Sequence, residues 1–151
     1  MSAPPADTRE QILARLLVLF KGILGEKHAF RNRLNIPDEL LPALSILDGD
    51  ESPDDSGYGR GRPANGPVVV TMRPEIYGFV AGNDDAVGPA LSALRADVLK
   101  AVLNDATLLG LCKDGDIRYE GFASGLANGR SLEGEMGLAL AFVYVLRPSR
   151  L

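Results

Sequence analysis

Apolar positions recur every three to four residues early in the chain. Ile12, Leu13, Leu16, Leu19, Phe20, Ile23 and Leu24 make one wide stripe, the pattern of an amphipathic helix laid on a core. Thr8-Arg9-Glu10-Gln11 has the form of a capping box, in which Thr8 accepts from the third helical N–H and Gln11 reaches back to the cap. Gly25 supplies a stop. These signals predict a helix over 9–24. Leu40-Leu41-Pro42 then leads into Ala43-Leu44-Ser45-Ile46-Leu47, an apolar run that predicts a strand starting just after a proline. Asp48-Gly49-Asp50 predicts the turn that ends it.

Pro67-Val68-Val69-Val70-Thr71-Met72 restarts regular structure as a strand, expected to break at Pro74 and resume through Ile76, Tyr77, Phe79 and Val80. Gly82-Asn83-Asp84-Asp85 reads as a turn. A second helix follows over about 87–104, with Leu91, Leu94, Val98, Ala101 and Val102 on one face and Pro89 in its first turn. Asp116-Ile117-Arg118-Tyr119-Glu120 alternates as a half-buried strand does. In the last element Met136, Leu138, Leu140, Phe142, Tyr144 and Leu146 point one way, and Gly137, Ala139, Ala141, Val143 and Val145 the other. Both faces are apolar, which predicts a central strand with one bulky side and one small-residue side. The small side lets a helix or a neighbouring subunit approach closely.

The fold class expected from this order is α+β. Two helices pack on one mostly antiparallel four-stranded sheet, in a single domain over 1–151 with a flexible stretch at 1–7. Residues 48–66 are expected to form a long flexible loop between the first two strands. They hold Asp48, Asp50, Glu51, Asp54 and Asp55, then Gly57, Gly59 and Gly61 interleaved with Tyr58, Arg60 and Arg62. Almost nothing there invites burial, so order is expected to come from a partner.

Composition changes this picture little. Aromatics are scarce, with no Trp, so Leu, Val, Ile and Ala must fill the core. A chain of 151 residues buries enough of its surface to fold without disulfides or structural metals. The net charge of −4 argues against a surface built to grip phosphate backbones. The longest apolar stretches, Ile12–Phe20 and Met136–Leu146, fall short of the roughly 20 residues of a membrane span. Met1 to Asp7 lacks the charged-then-apolar order of a secretory signal, and a cytoplasmic location is expected.

Candidate chemistry is thin. His28 is the sole histidine and Cys112 the sole cysteine, so a catalytic triad or a multi-cysteine zinc site has few residues to draw on. His28 reads as a connector residue in a basic stretch, and Cys112 as a buried structural thiol. Counted as a calcium loop, Asp48-Gly49-Asp50-Glu51 puts Pro53 at the sixth position and Gly59 at the twelfth, where Gly and Glu are required. From Asp114 the twelfth position is Gly125. Gly57-Tyr58-Gly59-Arg60-Gly61-Arg62 fails as a phosphate loop because no Gly-Lys-Ser/Thr follows. It fails as a dinucleotide fingerprint because Arg62 takes the third glycine position. No cofactor and no metal site is expected. Paired carboxylates for acid–base work stay open, since any two acids can meet in a fold.

The order of several short motifs resembles one known family. They are the N-terminal amphipathic helix, the basic Arg31-Asn32-Arg33, and Leu41-Pro42-Ala43-Leu44 opening a strand that ends in Asp48-Gly49-Asp50-Glu51. A Val-rich strand, a helix closing on Leu103-Asn104-Asp105 with Leu108-Leu109-Gly110, and the final Phe142-Val143-Tyr144-Val145 complete the series. From about Arg9 to Pro148 the chain resembles the tail-terminator, or tail-completion, proteins of long-tailed bacteriophages and gene-transfer particles, the group that includes minor tail protein U. The resemblance implies a virion structural protein and not an enzyme. It would form a hexameric ring that caps the tail tube, ends its growth and presents a surface to the head-completion or connector protein. Its partners would be its own copies, the tube protein and that connector. DNA would pass the lumen without specific binding, and no membrane would be involved. It would assemble in the host cytoplasm and end at the head-proximal end of the tail. Asp48, Asp50, Glu51, Asp54, Asp55, Arg60 and Arg62 are then the residues expected at subunit or tube contacts. The Gly/Arg-rich part of the loop has no counterpart in that family pattern. The alternative function is a small bacterial adaptor that captures a partner through the 48–66 loop.

Overall fold

A computed structural model of the chain describes residues 7–54, 63–126 and 133–151. Helix α1 (Thr8–Leu24) matches the stripe, but its cap is Asp7 and not Thr8. The Asp7 carboxylate accepts from the Arg9 N–H at 3.0 Å. A carboxylate there also complements the positive end of the helix dipole. At the other end the N–H of Gly25 donates to Lys21 O at 2.8 Å.

Among the described residues the sheet has five strands rather than the expected four, and three α-helices replace two. Strands β1 (Ala29–Arg31), β2 (Ala43–Pro53), β3 (Val68–Ala81), β4 (Ile117–Leu126) and β5 (Glu133–Leu146) lie in the order β1-β2-β3-β5-β4. All pairs are antiparallel except β1 with β2. Helix α2 (Asp84–Leu103) follows β3, and α3 (Ala106–Leu111) leads towards β4. β5 is central, as its two apolar faces required. β1 is three residues long, too short for a period of two to show in the sequence. α3 is set by tertiary contacts. Asp105 caps it by accepting from the Leu108 N–H at 3.0 Å, and is itself gripped by Arg15 of α1 at 2.7 and 2.9 Å.

Pro74 does not break β3. Its side chain is buried and the strand runs through it. A proline cannot donate to a ladder, and β2 adjusts its register by one residue between Leu47 and Asp50 at that level. Gly49 carries this bulge at φ +70°, where a Cβ would lie 2.1 Å from Arg73 O. β4 has a matching irregularity between Tyr119 and Gly121.

Even-numbered residues of β3 and β5 face the helices. Met72, Ile76, Leu138, Leu140 and Phe142 bury against Leu13, Leu16 and Phe20 of α1 and Leu94, Val98 and Val102 of α2. The bulky face of β5 is therefore its helix face. The small-residue face of β5 lies on the other side of the sheet.

Candidate interaction surface

The acids expected in a loop are split between two environments. Asp48, Asp50 and Glu51 belong to β2, which continues to Pro53. This corrects the boundary at Leu47, and the cause is a pair of arginines. Arg31 of β1 stands between two carboxylates, with Nε and Nη2 on Asp48 at 2.8 and 3.0 Å and Nη1 and Nη2 on Glu10 at 2.7 and 2.8 Å. Arg9 of α1 donates to the backbone carbonyls of Asp48 and Gly49 at 3.2 and 2.9 Å, and to Glu51 at 3.4 Å. The fully buried Tyr144 donates its hydroxyl to Glu51 at 2.9 Å. Hydrogen bonds from Arg31 hold both Glu10 and Asp48 below their usual carboxylate range. Burial, with Glu51 beside it, pushes the Tyr144 hydroxyl up.

Asp48 and Glu51 are thus satisfied inside the subunit, on the helix side. Asp50 reaches the opposite face, across from Arg73. The Asp54 N–H donates to Val69 O at 2.8 Å, so β2 and β3 remain joined there. Residues 63–66 form a turn closed by the Gly66 N–H on Pro63 O. Asp55, Arg60 and Arg62 lie outside the described residues.

The face away from the helices holds a cleft that the sequence reading did not assemble. Among the described residues no helix lies on it. A depression of about 540 Å³ is lined by Asp50, Arg73, Glu75, Tyr77, Glu120 and Ala123, over the small Gly137 and Ala139 of β5. Arg73 of β3 reaches across β5 to Glu120 of β4 at 3.0 Å, which the small residues beneath permit. Asp50, Glu75 and Glu135 have no cationic partner within ion-pair distance among the described residues. Tyr77 sits between Glu75 and Glu135. Burial, then these two charges, raise its hydroxyl pKa. The carboxylates of this face therefore outnumber its one cleft arginine. An alternation of Arg73, Glu75 and Tyr77 against Met72, Pro74 and Ile76 carries the signal, but the expected break at Pro74 conceals it.

The remaining candidates have structural surroundings. The Nδ1–H of His28 donates to Leu40 O at 2.7 Å and ties the connector to the turn before β2. Cys112 is 7% exposed, and burial pushes its thiol up to about 12. Asp114 and Gly115 make a turn with positive φ, and Asp116 pairs with Arg118 two residues on at 2.8 and 2.9 Å. Among the described residues no helix is long and apolar enough to cross a membrane.

No family model matches the chain, and no curated protein matches it. Among solved structures it is similar to the sheath/tube terminator of an extracellular contractile injection system, at 16% identity and a TM-score of 0.43. The likeness covers 92% of this chain and 56% of the other, so this chain spans little more than half that protein's length.

Proposed function

We propose that the chain is a structural subunit that caps the tail tube of a phage-like particle as a ring. It would end tube growth and offer the surface for head attachment. The observation that carries this reading is the face of the sheet on which, among the described residues, no helix lies. A central strand with Gly137 and Ala139 on its outer side, rimmed by charged residues, suits close approach by another protein body. The motif series from Arg9 to Pro148 supports the same class of assembly role. On this reading the chain binds and positions other proteins, performs no catalysis and takes no cofactor. A cap on a tube must match the tube's rotational symmetry and leave a channel, so head-to-tail contact between copies follows, in six copies if it resembles its family. An acidic surface suits a passage that must not hold DNA.

The adaptor alternative relied on 48–66 as a free arm, and Asp48, Asp50 and Glu51 are committed to β2 instead. The test is genetic. Deletion of the gene followed by electron microscopy is expected to show tails of uncontrolled length, or tails that fail to join heads. Normal particles with tails of normal length would falsify the terminator reading.

A further inference from the structure

The cleft on the open face has an acidic rim, and one described segment of the chain complements it. Among described residues Arg147 and Arg150, three positions apart, have no carboxylate within ion-pair distance. Both line the surface at the far end of β5 with Val145 and Leu146. Arg147, Ser149 and Arg150 are exposed. No other described segment places two unpaired cations so close together. The two surfaces differ in position as well as in sign. From Ala139, on the cleft floor, to Arg147 the chain runs along β5 for eight residues, about 26 Å at strand rise. The five residues from Arg147 to Leu151 span at most about 17 Å even if straightened, so the segment does not reach its own cleft.

We propose that the cleft formed by β3, β4 and β5 receives the 147–151 segment of a second copy of this chain. Asp50, Glu75 and Glu135 on one copy would face Arg147 and Arg150 of the next, over the small floor of Gly137 and Ala139. This inference rests on the ring reading above and names the two surfaces that the ring would join. It makes the contact heterologous, with two different patches per subunit, which closes into a ring when the rotation permits and otherwise extends as a filament. The attraction between exposed charges weakens with salt, so assembly should too.

The experiment is disulfide trapping in the full chain, with Cys112→Ala removing the buried thiol. Ala123→Cys lies in the cleft and Ser149→Cys lies between the two arginines, so neither removes a charge. The two single variants are mixed at high concentration and oxidised. The expected result is that the mixed 123–149 product dominates over both like-with-like products. Glu75→Lys with Glu135→Lys should cut its yield at least tenfold, while circular dichroism confirms folding. Reversing Arg147→Glu and Arg150→Glu in the partner should restore it. Dominant 123–123 product, or no intermolecular product, overturns the pairing. A chain carrying both cysteines then separates the two readings. A ladder ending at a closed species keeps both. An unending ladder keeps the paired surfaces but sinks the ring. Closed rings without a 123–149 link sink the pairing and leave the ring.

Discussion

Asp48-Gly49-Asp50 and Asp114-Gly115-Asp116 are the same tripeptide used in opposite ways. At 114–116 the sequence behaves as its turn chemistry prescribes. Asp114 and Gly115 take φ of 54° and 67°, the chain turns between α3 and β4, and Asp116 finds its arginine two residues away. At 48–50 the positive φ of Gly49 does not end the strand. It makes a bulge, and β2 continues for several residues. The difference lies in what each segment meets. Asp48 and the carbonyls beside it meet Arg31 and Arg9, which are distant in sequence, and Gly49 lies flat against the β3 backbone at Pro74. The comparison teaches that the same local signal can mean a turn or a bulge. Which one forms depends on whether distant donors satisfy the acids that follow.

Four changes would break or sharpen that contrast. Gly49→Ala should cost the most, about 3 kcal/mol or more, because a Cβ meets backbone and the φ is left-handed. Chemical denaturation would measure it, and a cost under about 1 kcal/mol would mean the bulge is not this tight. Arg31→Met should cost about 2 kcal/mol, since it strands two part-buried carboxylates at once. Amide exchange at 50–52 should quicken in that variant while 138–144 stays protected. Gly115→Ala should cost about 1–2 kcal/mol, from left-handed φ alone, because its nearest neighbour is a side-chain carbon at 3.6 Å. Arg118→Met, which removes a local surface pair, should leave the melting temperature nearly unchanged.

The same clamp also shapes the acid limb of stability. Glu10 and Asp48 have folded pKa values depressed by Arg31, so their contribution is present above their ordinary values of 4.5 and 3.8. It is lost as pH falls through the depressed folded values. Melting temperature followed from pH 6 downward should therefore fall less steeply in Arg31→Met than in the unaltered chain. Equal slopes would show that the clamp contributes nothing to acid stability. Asp116 is lowered by Arg118 in the same direction, so both chains retain that part of the slope.

Much of the fold was legible because period and burial agree. The 3.6-residue stripe from Ile12 to Leu24 became α1 with its core residues in place, and the double apolar alternation of β5 put it in the sheet's interior. Ala29–Arg31 was not legible, since three residues hold too few repeats to show a period. α3 was hidden for a similar reason. Six residues cannot hold a helix by propensity, and the Arg15–Asp105 pair that stabilises its cap joins residues 90 apart. Of the expected contact residues, Asp50 reached the open face, while Asp48 and Glu51 turned towards α1. Arg73, Glu75 and Tyr77 went unread because the proline among them signals a break.

Sequence alone determined the helical stripe of α1, the central place of β5 and its division into a bulky and a small side. Each follows from side-chain period and size, which a chain carries wherever it folds. Tertiary structure alone decided that Pro74 stays inside a strand, that Asp48 and Glu51 are paired rather than solvated, and that a charged cleft forms over Gly137 and Ala139. Those outcomes depend on partners that approach only once the sheet is built. A guanidinium can change a carboxylate's environment from 17 or 21 residues away, and no local pattern records that it will arrive.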